Sequence, residues 1–188
     1  MGKLILWNLV TLDGFFDGPK AWDLDWHGEV WGEELERFSV EQLRSAAGLI
    51  FGRVTYEGMA AYWRTAEVKA GPEGEVAGLM NSLPKSVASR TLATVDWANA
   101  SLLPGDAATA VRDLKGRSDG DLFVFGSADL AATLIREGLF DEYRLLIVPV
   151  VLGEGRPLFA GGPGRRKLRL LETRPMGAGG VFVRYASA

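Results

Sequence analysis

The stretch Leu49-Ile50-Phe51-Gly52-Arg53-Val54-Thr55-Tyr56-Glu57 joins an apolar run of strand character, through one glycine, to a helical pattern. The stretch Leu122-Phe123-Val124-Phe125-Gly126-Ser127-Ala128-Asp129-Leu130 repeats this arrangement later in the chain. A helix that starts directly after a strand leaves unpaired N–H groups at its N-terminus, and the helix dipole adds partial positive charge there. A glycine at the junction lets an anion approach the backbone closely. Two such junctions at one sheet edge predict a cradle for a ligand with several phosphates, for which a dinucleotide is the natural candidate.

The residues at the two junctions point to phosphate binding in different ways. Gly52 permits close approach, Arg53 can make a bidentate contact, and Thr55 can donate a hydroxyl hydrogen bond. Gly126 and Ser127 repeat the geometry without a charged side chain, which suits a pyrophosphate bound by backbone N–H groups. The alternatives are a tight turn with a solvated arginine at the first junction and a simple serine N-cap at the second.

A third polar segment, Ser89-Arg90-Thr91, ends a predicted strand over residues 84–89. Two hydroxyl groups around a guanidinium suit a phosphate monoester such as the 2′-phosphate of NADPH. A charge-assisted hydrogen bond contributes about 1.5–3 kcal/mol, which favours NADPH over NADH by roughly 10- to 150-fold for each contact. The alternative is a polar turn on the surface.

The tryptophan-rich region that follows the first predicted strand indicates a substrate mouth. Aromatic walls can stack a planar heterocycle, and a carboxyl group can relay a proton. The alternative is that the tryptophans pack in the core or a lid, that the acids are solvated and that the histidine lies on the surface. The residues of this region are Asp13, Gly14, Trp22, Asp23, Asp25, Trp26, His27 and Trp31.

The order of the predicted elements indicates an α/β fold. Strand patterns alternate with helical patterns over the first two thirds of the chain, and Ser39, with a glutamine three residues later, predicts a capping box that starts one helix. The last third carries strand patterns alone, over 142–151, 167–173 and 181–186. This order predicts a mostly parallel central sheet with helices on both faces and an antiparallel C-terminal edge. No linker divides the chain, so residues 1–188 are expected to form one domain.

Composition excludes several classes of function. The net charge of −3 gives no reason to expect a nucleic-acid partner, which would favour a basic face, and the absence of cysteine removes disulfides and thiolate metal sites. A single histidine argues against a zinc site, so no metal is expected. The apolar N-terminal stretch is short and is followed by acids, and no apolar run approaches the roughly 20 residues of a membrane helix. The expected location is the cytoplasm, with no membrane partner.

Four motifs occur in a fixed order: Gly-Arg-x-Thr-Tyr-Glu at 52–57, Lys-Ser-Val-Ala-Ser-Arg-Thr-Leu at 85–92, Phe-Val-Phe-Gly-Ser at 123–127 and Val-Pro-Val-Val-Leu-Gly-Glu-Gly-Arg-Pro-Leu-Phe at 148–159. In this order they resemble the dihydrofolate reductase-like superfamily over nearly the whole chain. The resemblance is closest to the stand-alone relatives of the C-terminal reductase domain of the bacterial riboflavin-biosynthesis bifunctional deaminase/reductase.

The resemblance implies a dihydrofolate reductase-like fold with NADPH bound across the sheet edge. It implies an NADPH-dependent oxidoreductase acting on a small heterocyclic substrate, with an activity like that of 5-amino-6-(5-phosphoribosylamino)uracil reductase of riboflavin biosynthesis or of dihydrofolate reductase. The positions that it assigns to the cofactor are Gly52, Arg53 and Thr55 at phosphate, Ser89 and Arg90 at the 2′-phosphate end, and Gly126 and Ser127 at the pyrophosphate.

On the substrate side, Thr11-Leu12-Asp13-Gly14 resembles the Ser-Leu-Asp-Gly segment of the family, which approaches substrate and nicotinamide. This likeness makes Asp13 the candidate catalytic group, as a proton donor to which water is the alternative, and Thr11 a substrate contact. Trp22 and Trp26 are the expected aromatic substrate contacts.

Two departures from the family pattern leave the substrate open. Riboflavin-pathway reductases usually carry a glutamate and two glycines where this chain has Phe125, Gly126 and Ser127. Dihydrofolate reductases place an acid on the first helix, and four glutamates between residues 33 and 41 are equal candidates here. The alternatives to a reductase are a non-catalytic nucleotide- or ligand-binding protein on the same fold, or a fold relic without a site. A homodimer is expected because apolar edge strands near the C-terminus need covering.

Overall fold

The computed structural model describes residues 2–66, 71–160 and 164–188 of the chain. It contains ten strands and five α-helices in these ranges, and short 3-10 helices at Asp25–Glu29 and Gly177–Gly179. The strands are β1 (Leu4–Thr11), β2 (Phe15–Asp17), β3 (Ala46–Gly52), β4 (Lys85–Ala88), β5 (Ala100–Leu102), β6 (Asp121–Phe125), β7 (Glu142–Val148), β8 (Arg156–Pro157), β9 (Leu168–Pro175) and β10 (Val181–Ser187). The helices are α1 (Glu33–Arg44), α2 (Arg53–Trp63), α3 (Pro72–Ser82), α4 (Ala107–Arg117) and α5 (Ala128–Arg136).

Eight of the strands form one sheet in the order β5-β4-β3-β6-β1-β7-β10-β9. The neighbours from β5 to β7 pair in parallel, and β10 pairs antiparallel with both β7 and β9. The predicted parallel sheet with an antiparallel C-terminal edge is therefore confirmed. β2 and β8 form a separate antiparallel pair that the sequence patterns did not predict, because each strand has only two or three residues.

The sheet is covered on both faces, which explains the continuous apolar runs of its central strands. Ile5 and Trp7 of β1 point into a core shared with α1, α2 and α3, whereas Leu4 and Leu6 point into a second core with α4 and α5. Alternate side chains of a strand point to opposite faces, so a strand buried on both sides carries apolar residues at nearly every position.

The first helix begins earlier than predicted. The expected capping box is wrong, because Ser39 lies inside α1, which starts at Glu33 after Gly32 and has no side-chain cap. Three acidic residues in its first turn complement the helix dipole and take the place of a cap. The glutamates therefore mark the helix start, and the apolar spacing from Leu35 to Leu43 marks its buried face.

The topology brings the polar segments together. β4, β3, β6 and β1 are neighbours in the sheet and run in the same direction, so their carboxyl ends share one edge. Ser89 follows β4, Gly52 ends β3, Gly126 follows β6 and Thr11 ends β1. Ligands of open α/β sheets bind at the carboxyl ends of the strands.

Candidate functional site

Two cavities meet at this edge. The polar cleft has a volume of about 490 Å³ and lies over the ends of β4, β3 and β6, with walls that include residues 52–55, 88–91, 105–107 and 127–130. The apolar chamber has a volume of about 460 Å³ and lies beside it, under the 3-10 helix Asp25–Glu29 and between α1 and α2. Four residues line both cavities and form their shared wall: Phe16, Trp22, Leu24 and Thr55.

The two strand–glycine–helix junctions are locked to each other by hydrogen bonds. Gly52 N donates to Ser127 Oγ over 2.8 Å, and Ser127 N donates to Thr55 Oγ1 over 2.9 Å. Gly126 N donates to Oδ1 of the buried Asn8 over 2.7 Å. These three N–H groups already have partners within the protein. The predicted binding of a pyrophosphate by the N–H groups of Gly126 and Ser127 therefore does not match the structure.

Other donors remain at the same place. Neither α2 nor α5 has a side-chain cap at its N-terminus, so the first-turn N–H groups of both helices are left for a ligand. A third helix, α4, also begins at the polar cleft, but its own Asp106 caps it by accepting from Thr109 N over 2.9 Å. Two uncapped helix N-termini converge on one cleft, which is favourable for anions.

The structure requires glycine at only one of the two junctions. Gly126 has φ +54, and a Cβ there would lie 2.9 Å from Thr55 Cγ2, so both backbone and space require glycine. Gly52 has an extended backbone with φ −77, and a Cβ there would sit at an ordinary 3.6 Å from Ser127. Packing therefore does not require glycine at position 52. The close approach of an anion to Gly52 stays a prediction.

Three arginines line the polar cleft, and they differ in whether an ion pair within the protein already engages them. Arg53 pairs with Glu57 one turn along α2 at 2.9 Å, and Arg156 pairs with Asp129. Arg90 makes no ion pair within the part of the chain that the structure describes. Its turn is held by Ser89 Oγ, which accepts from the N–H groups of Thr91 and Leu92 at 3.1 and 3.0 Å. Among the described residues of the cleft, Arg90 is thus the cation that no ion pair holds and that can take a phosphate.

The apolar chamber has a different chemistry. Its walls carry aromatic rings from β1, β2, α2, β6 and the loops on either side of the 3-10 helix. No Asp, Glu, Lys or Arg side chain from the described residues lines it. The four glutamates considered on α1 do not reach it, because that helix presents Leu35, Ser39 and Leu43 instead. The aromatic residues of the lining are Trp7, Phe16, Trp22, Trp31, Tyr62, Trp63 and Phe125.

His27 is the titratable imidazole of the chamber. Its Nε2 is buried and has no hydrogen-bond partner among the described residues, and burial lowers its pKa to about 4. The imidazole is therefore neutral at pH 7. Trp26 lies behind it, with the two rings edge to face at 4.4 Å between centroids. Trp26 is buried in the core and lines neither cavity, so it supports His27 instead of meeting a ligand directly.

Trp22 stands in the shared wall in a constrained conformation. Its φ is +67, which is unusual for a bulky residue. The buried Asp17 holds this turn by accepting from Trp22 N at 3.1 Å and from Asp23 N at 2.8 Å. The indole lies flat over Gly58, where a Cβ would come within 2.5 Å of the ring. The absence of a side chain at 58 therefore allows the indole to sit against α2.

Thr11 and Asp13 lie outside both cavities. The Asp13 carboxylate accepts from Thr11 Oγ1 at 2.6 Å and from Gly153 N at 2.8 Å, which ties the end of β1 to the loop after β7. The hydrogen bond from Thr11, together with those from the backbone N–H groups of Gly153 and Leu152, lowers the pKa of Asp13. A carboxyl group with a lowered pKa is a poor proton donor, so this geometry argues against the catalytic role expected of Asp13.

Sequence reasoning placed six of the seven cofactor candidates at the polar cleft and missed the residues that organise it. Gly126 is the exception, since it lines the apolar chamber. Asn8 was missed because a single asparagine in a strand has many explanations. The signal that could have found it is its place in an apolar strand, since a polar side chain is costly to bury without a partner. Among the described residues no group of three or more metal-ligating side chains occurs, and no helix has the length and hydropathy to cross a membrane.

Comparison with known proteins agrees with this architecture. The family model of the RibD C-terminal domain matches residues 2–182. The uncharacterized protein YyaP of Bacillus subtilis is 33% identical over 183 residues, which cover 97% of this chain and 94% of YyaP. A crystal structure from Shewanella sp. PV-4, of a protein whose name refers to riboflavin biosynthesis, superposes with a TM-score of 0.80 at 20% identity and covers 99% of both chains.

A bifunctional relative has the same fold in part of its length. The diaminohydroxyphosphoribosylaminopyrimidine deaminase/5-amino-6-(5-phosphoribosylamino)uracil reductase of Thermotoga maritima superposes with a TM-score of 0.68 at 13% identity. The match covers 100% of this chain and 57% of the Thermotoga protein. The dihydrofolate reductase-like fold implied by the sequence motifs is confirmed.

Proposed function

The chain belongs to the RibD C-terminal domain family, and we propose that it is an NADPH-dependent reductase of a small heterocyclic substrate. The observation that carries the proposal is the pair of cavities with one wall in common. A polar cleft with two uncapped helix N-termini and a free arginine suits a dinucleotide, and an aromatic chamber suits a planar ring. Eight strands, the first beginning at Leu4 and the last ending at Ser187, share one sheet, which supports one domain over residues 1–188.

The residues of the polar cleft fit the cofactor by their chemistry. Arg90, presented by the Ser89 turn, would hold the 2′-phosphate, and the N-terminal turns of α2 and α5 would hold the other phosphates. Arg53 and Thr55 lie at the first of these turns, and the Gly126–Ser127 turn sets the position of the second. When bound, NADPH would supply a hydride, and the protein would orient the two reactants.

The source of the proton is constrained by the lining of the chamber. Within the described residues no carboxyl group reaches it, and His27 is neutral at pH 7. Water entering through the shared wall is therefore the proton donor that we propose, in place of Asp13.

Calorimetric titration of the full chain with NADPH and with NADH tests the cofactor. We expect NADPH to bind at least tenfold more tightly, and Arg90→Ala to weaken NADPH by roughly 10- to 150-fold while leaving NADH unchanged, since only the 2′-phosphate contact is lost. Arg37→Ala is the matched control, because Arg37 is exposed on α1, pairs with Glu33 and lies away from both cavities.

Three results would contradict parts of this proposal. Equal affinity for the two nucleotides would remove Arg90 from the 2′-phosphate. No binding of either nucleotide would refute the cofactor altogether. Tight NADPH binding with no oxidation of NADPH in the presence of any pteridine, pyrimidine or uncharged carbonyl compound would favour the non-catalytic binding protein.

We also propose that the protein is a homodimer. β9 is an outer strand of the sheet, and Leu168 and Leu170 on it are 39% and 51% exposed. An exposed apolar edge strand is a pairing surface that proteins usually cover. Light scattering should give the mass of two chains, and Leu170→Lys should give one chain; a wild-type protein that is monomeric at all concentrations would refute the dimer.

A further inference from the structure

The chamber combines three features that together limit what it can hold. It is walled by seven aromatic side chains, and its described lining carries no charged side chain. Its residue His27 has a buried Nε2 without a hydrogen-bond partner in the part of the chain that the structure describes. Resting on the reductase proposed above, we propose that the substrate is a flat, uncharged aromatic or conjugated carbonyl compound whose polar edge pairs with Nε2 of His27.

The absence of charge excludes ionic substrates from the interior. Moving a carboxylate or phosphate out of water into an apolar site costs far more than a neutral group unless a partner pairs with it. The arginines of this region line the polar cleft, where Arg53, Arg90 and Arg156 lie beyond the shared wall. The chamber therefore selects against phosphorylated and carboxylated rings, since no cationic side chain from the described residues lines it.

The shape of the lining favours a planar molecule. Trp31 and Trp22, which are 43% and 37% exposed, stand at the chamber while Trp7 and Trp63 are buried in its wall. Aromatic faces prefer offset or edge contacts with other rings, which contribute about 0.5–1.5 kcal/mol each beyond area burial. Two exposed tryptophans at the chamber are unusual for a protein surface, and covering them by a bound ring would explain their position.

His27 supplies the specificity. A buried polar atom without a partner is costly, and native proteins rarely keep one unless a ligand satisfies it. His27 belongs to the lining, its Nε2 is buried without a hydrogen-bond partner among the described residues, and Trp26 packs edge to face against the ring at 4.4 Å between centroids. A carbonyl oxygen or ring nitrogen of the substrate would pair with this atom in the tautomer that it selects.

The test uses coumarin and coumarin-3-carboxylate as a pair of probes that differ by one charge, with 1,4-naphthoquinone as a second uncharged probe. The chain has no cysteine, so the quinone cannot form a thiol adduct. Binding is measured without NADPH by calorimetry, and by 15N NMR of the imidazole, which gives one set of signals because the chain has one histidine. We expect coumarin to bind at least tenfold more tightly than its carboxylate and to shift the Nε2 resonance.

Two variants separate the contribution of His27 to coumarin binding from that of the rest of the chamber. His27→Phe keeps a ring and removes both nitrogens, and it should weaken coumarin by roughly 3- to 10-fold, the value of one neutral hydrogen bond. Ser39→Ala changes another polar residue of the lining and should leave coumarin affinity unchanged. If His27→Phe does not fold, the resonance shift in the wild-type protein still decides the matter.

The outcomes for this inference and for the reductase are distinct. Equal or tighter binding of the carboxylate, an Nε2 resonance that coumarin does not move, or no binding of coumarin and naphthoquinone alike would overturn the inference even if NADPH binds. Failure of NADPH to bind while coumarin binds and shifts the resonance would refute the reductase and with it the status of the ligand as a substrate.

Discussion

Mild acid is expected to destabilise this protein through its single histidine. Burial lowers the pKa of His27 from 6.5 to about 4 in the folded chain. The unfolded chain, with the ordinary pKa, binds the proton more tightly, so the stability that this group contributes is complete above pH 6.5 and is lost as the pH falls toward 4. The full shift corresponds to about 3 kcal/mol, of which about 2 kcal/mol is lost by about pH 5.

Urea unfolding of wild type and His27→Phe at several pH values between about 7 and 5 measures this effect. Wild type should lose about 2 kcal/mol over this range, equivalent to roughly 4–8 °C in melting temperature for a chain of this length. The variant carries no titrating group at 27 and should lose much less. The comparison removes the contribution of carboxyl groups, because Asp13, Asp96 and Asp106 have lowered pKa values and are common to both proteins.

Two results would refute the reasoning. Parallel stability curves for the two proteins between about pH 7 and 5 would mean that the folded imidazole is as accessible to protons as the unfolded one. An NMR titration of the folded protein with a midpoint near the ordinary value of 6.5 would mean the same by direct observation.

Three further changes test the framework of the site. Thr55→Val should cost about 1–3 kcal/mol because it leaves the buried Ser127 N–H without its 2.9 Å partner, whereas Thr55→Ser keeps the oxygen and should cost much less, both by urea unfolding. Lys85→Met should lower the free energy of unfolding by about 2–4 kcal/mol, since the Lys85 ammonium donates to three backbone carbonyls at 2.7–3.1 Å. The same substitution should not change NADPH affinity. Gly58→Ala should leave the free energy of unfolding unchanged or raise it by up to about 1 kcal/mol, while it displaces the Trp22 indole and changes tryptophan fluorescence; an unchanged spectrum would contradict the packing of Trp22 on α2.

The fold could be predicted from the sequence because each central strand is marked by more than one local pattern. The runs at 49–51 and 122–125 are apolar at every position, which only a strand buried on both faces or a buried helix allows, and a glycine ends each run. The start of α1 was predicted wrongly at Ser39, because a capping box is a short pattern that an interior serine also satisfies. The acids from Glu33 were the stronger signal.

The site could be predicted only where its residues follow a strand end. Ser89, Gly52 and Thr55 reach the polar cleft because parallel neighbours share an edge, which the strand pattern already implies. The bonds that organise the edge join residues 72 to 118 positions apart, such as Ser127 to Thr55 and Gly126 to Asn8, and no local pattern encodes them. The chamber likewise draws on β1, α1, α2, α3 and β6, so its lack of charge becomes visible only in three dimensions.

The separation of charge between the two cavities follows from how the junctions are built. Because Ser127, Thr55 and Asn8 consume the N–H groups closest to the sheet, anions are left with the helix N-termini and Arg90 on the outer side of the shared wall. The inner side is lined by no charged side chain from the described residues, and the imidazole of His27 that lines it is neutral at pH 7. In the proposed reductase, a ligand with phosphates and a ligand without charge would thereby be directed to opposite sides of Thr55 and Trp22. That division would suit the proposed hydride transfer between two substrates, because the reactants must meet across one wall while the wrong partner is kept out.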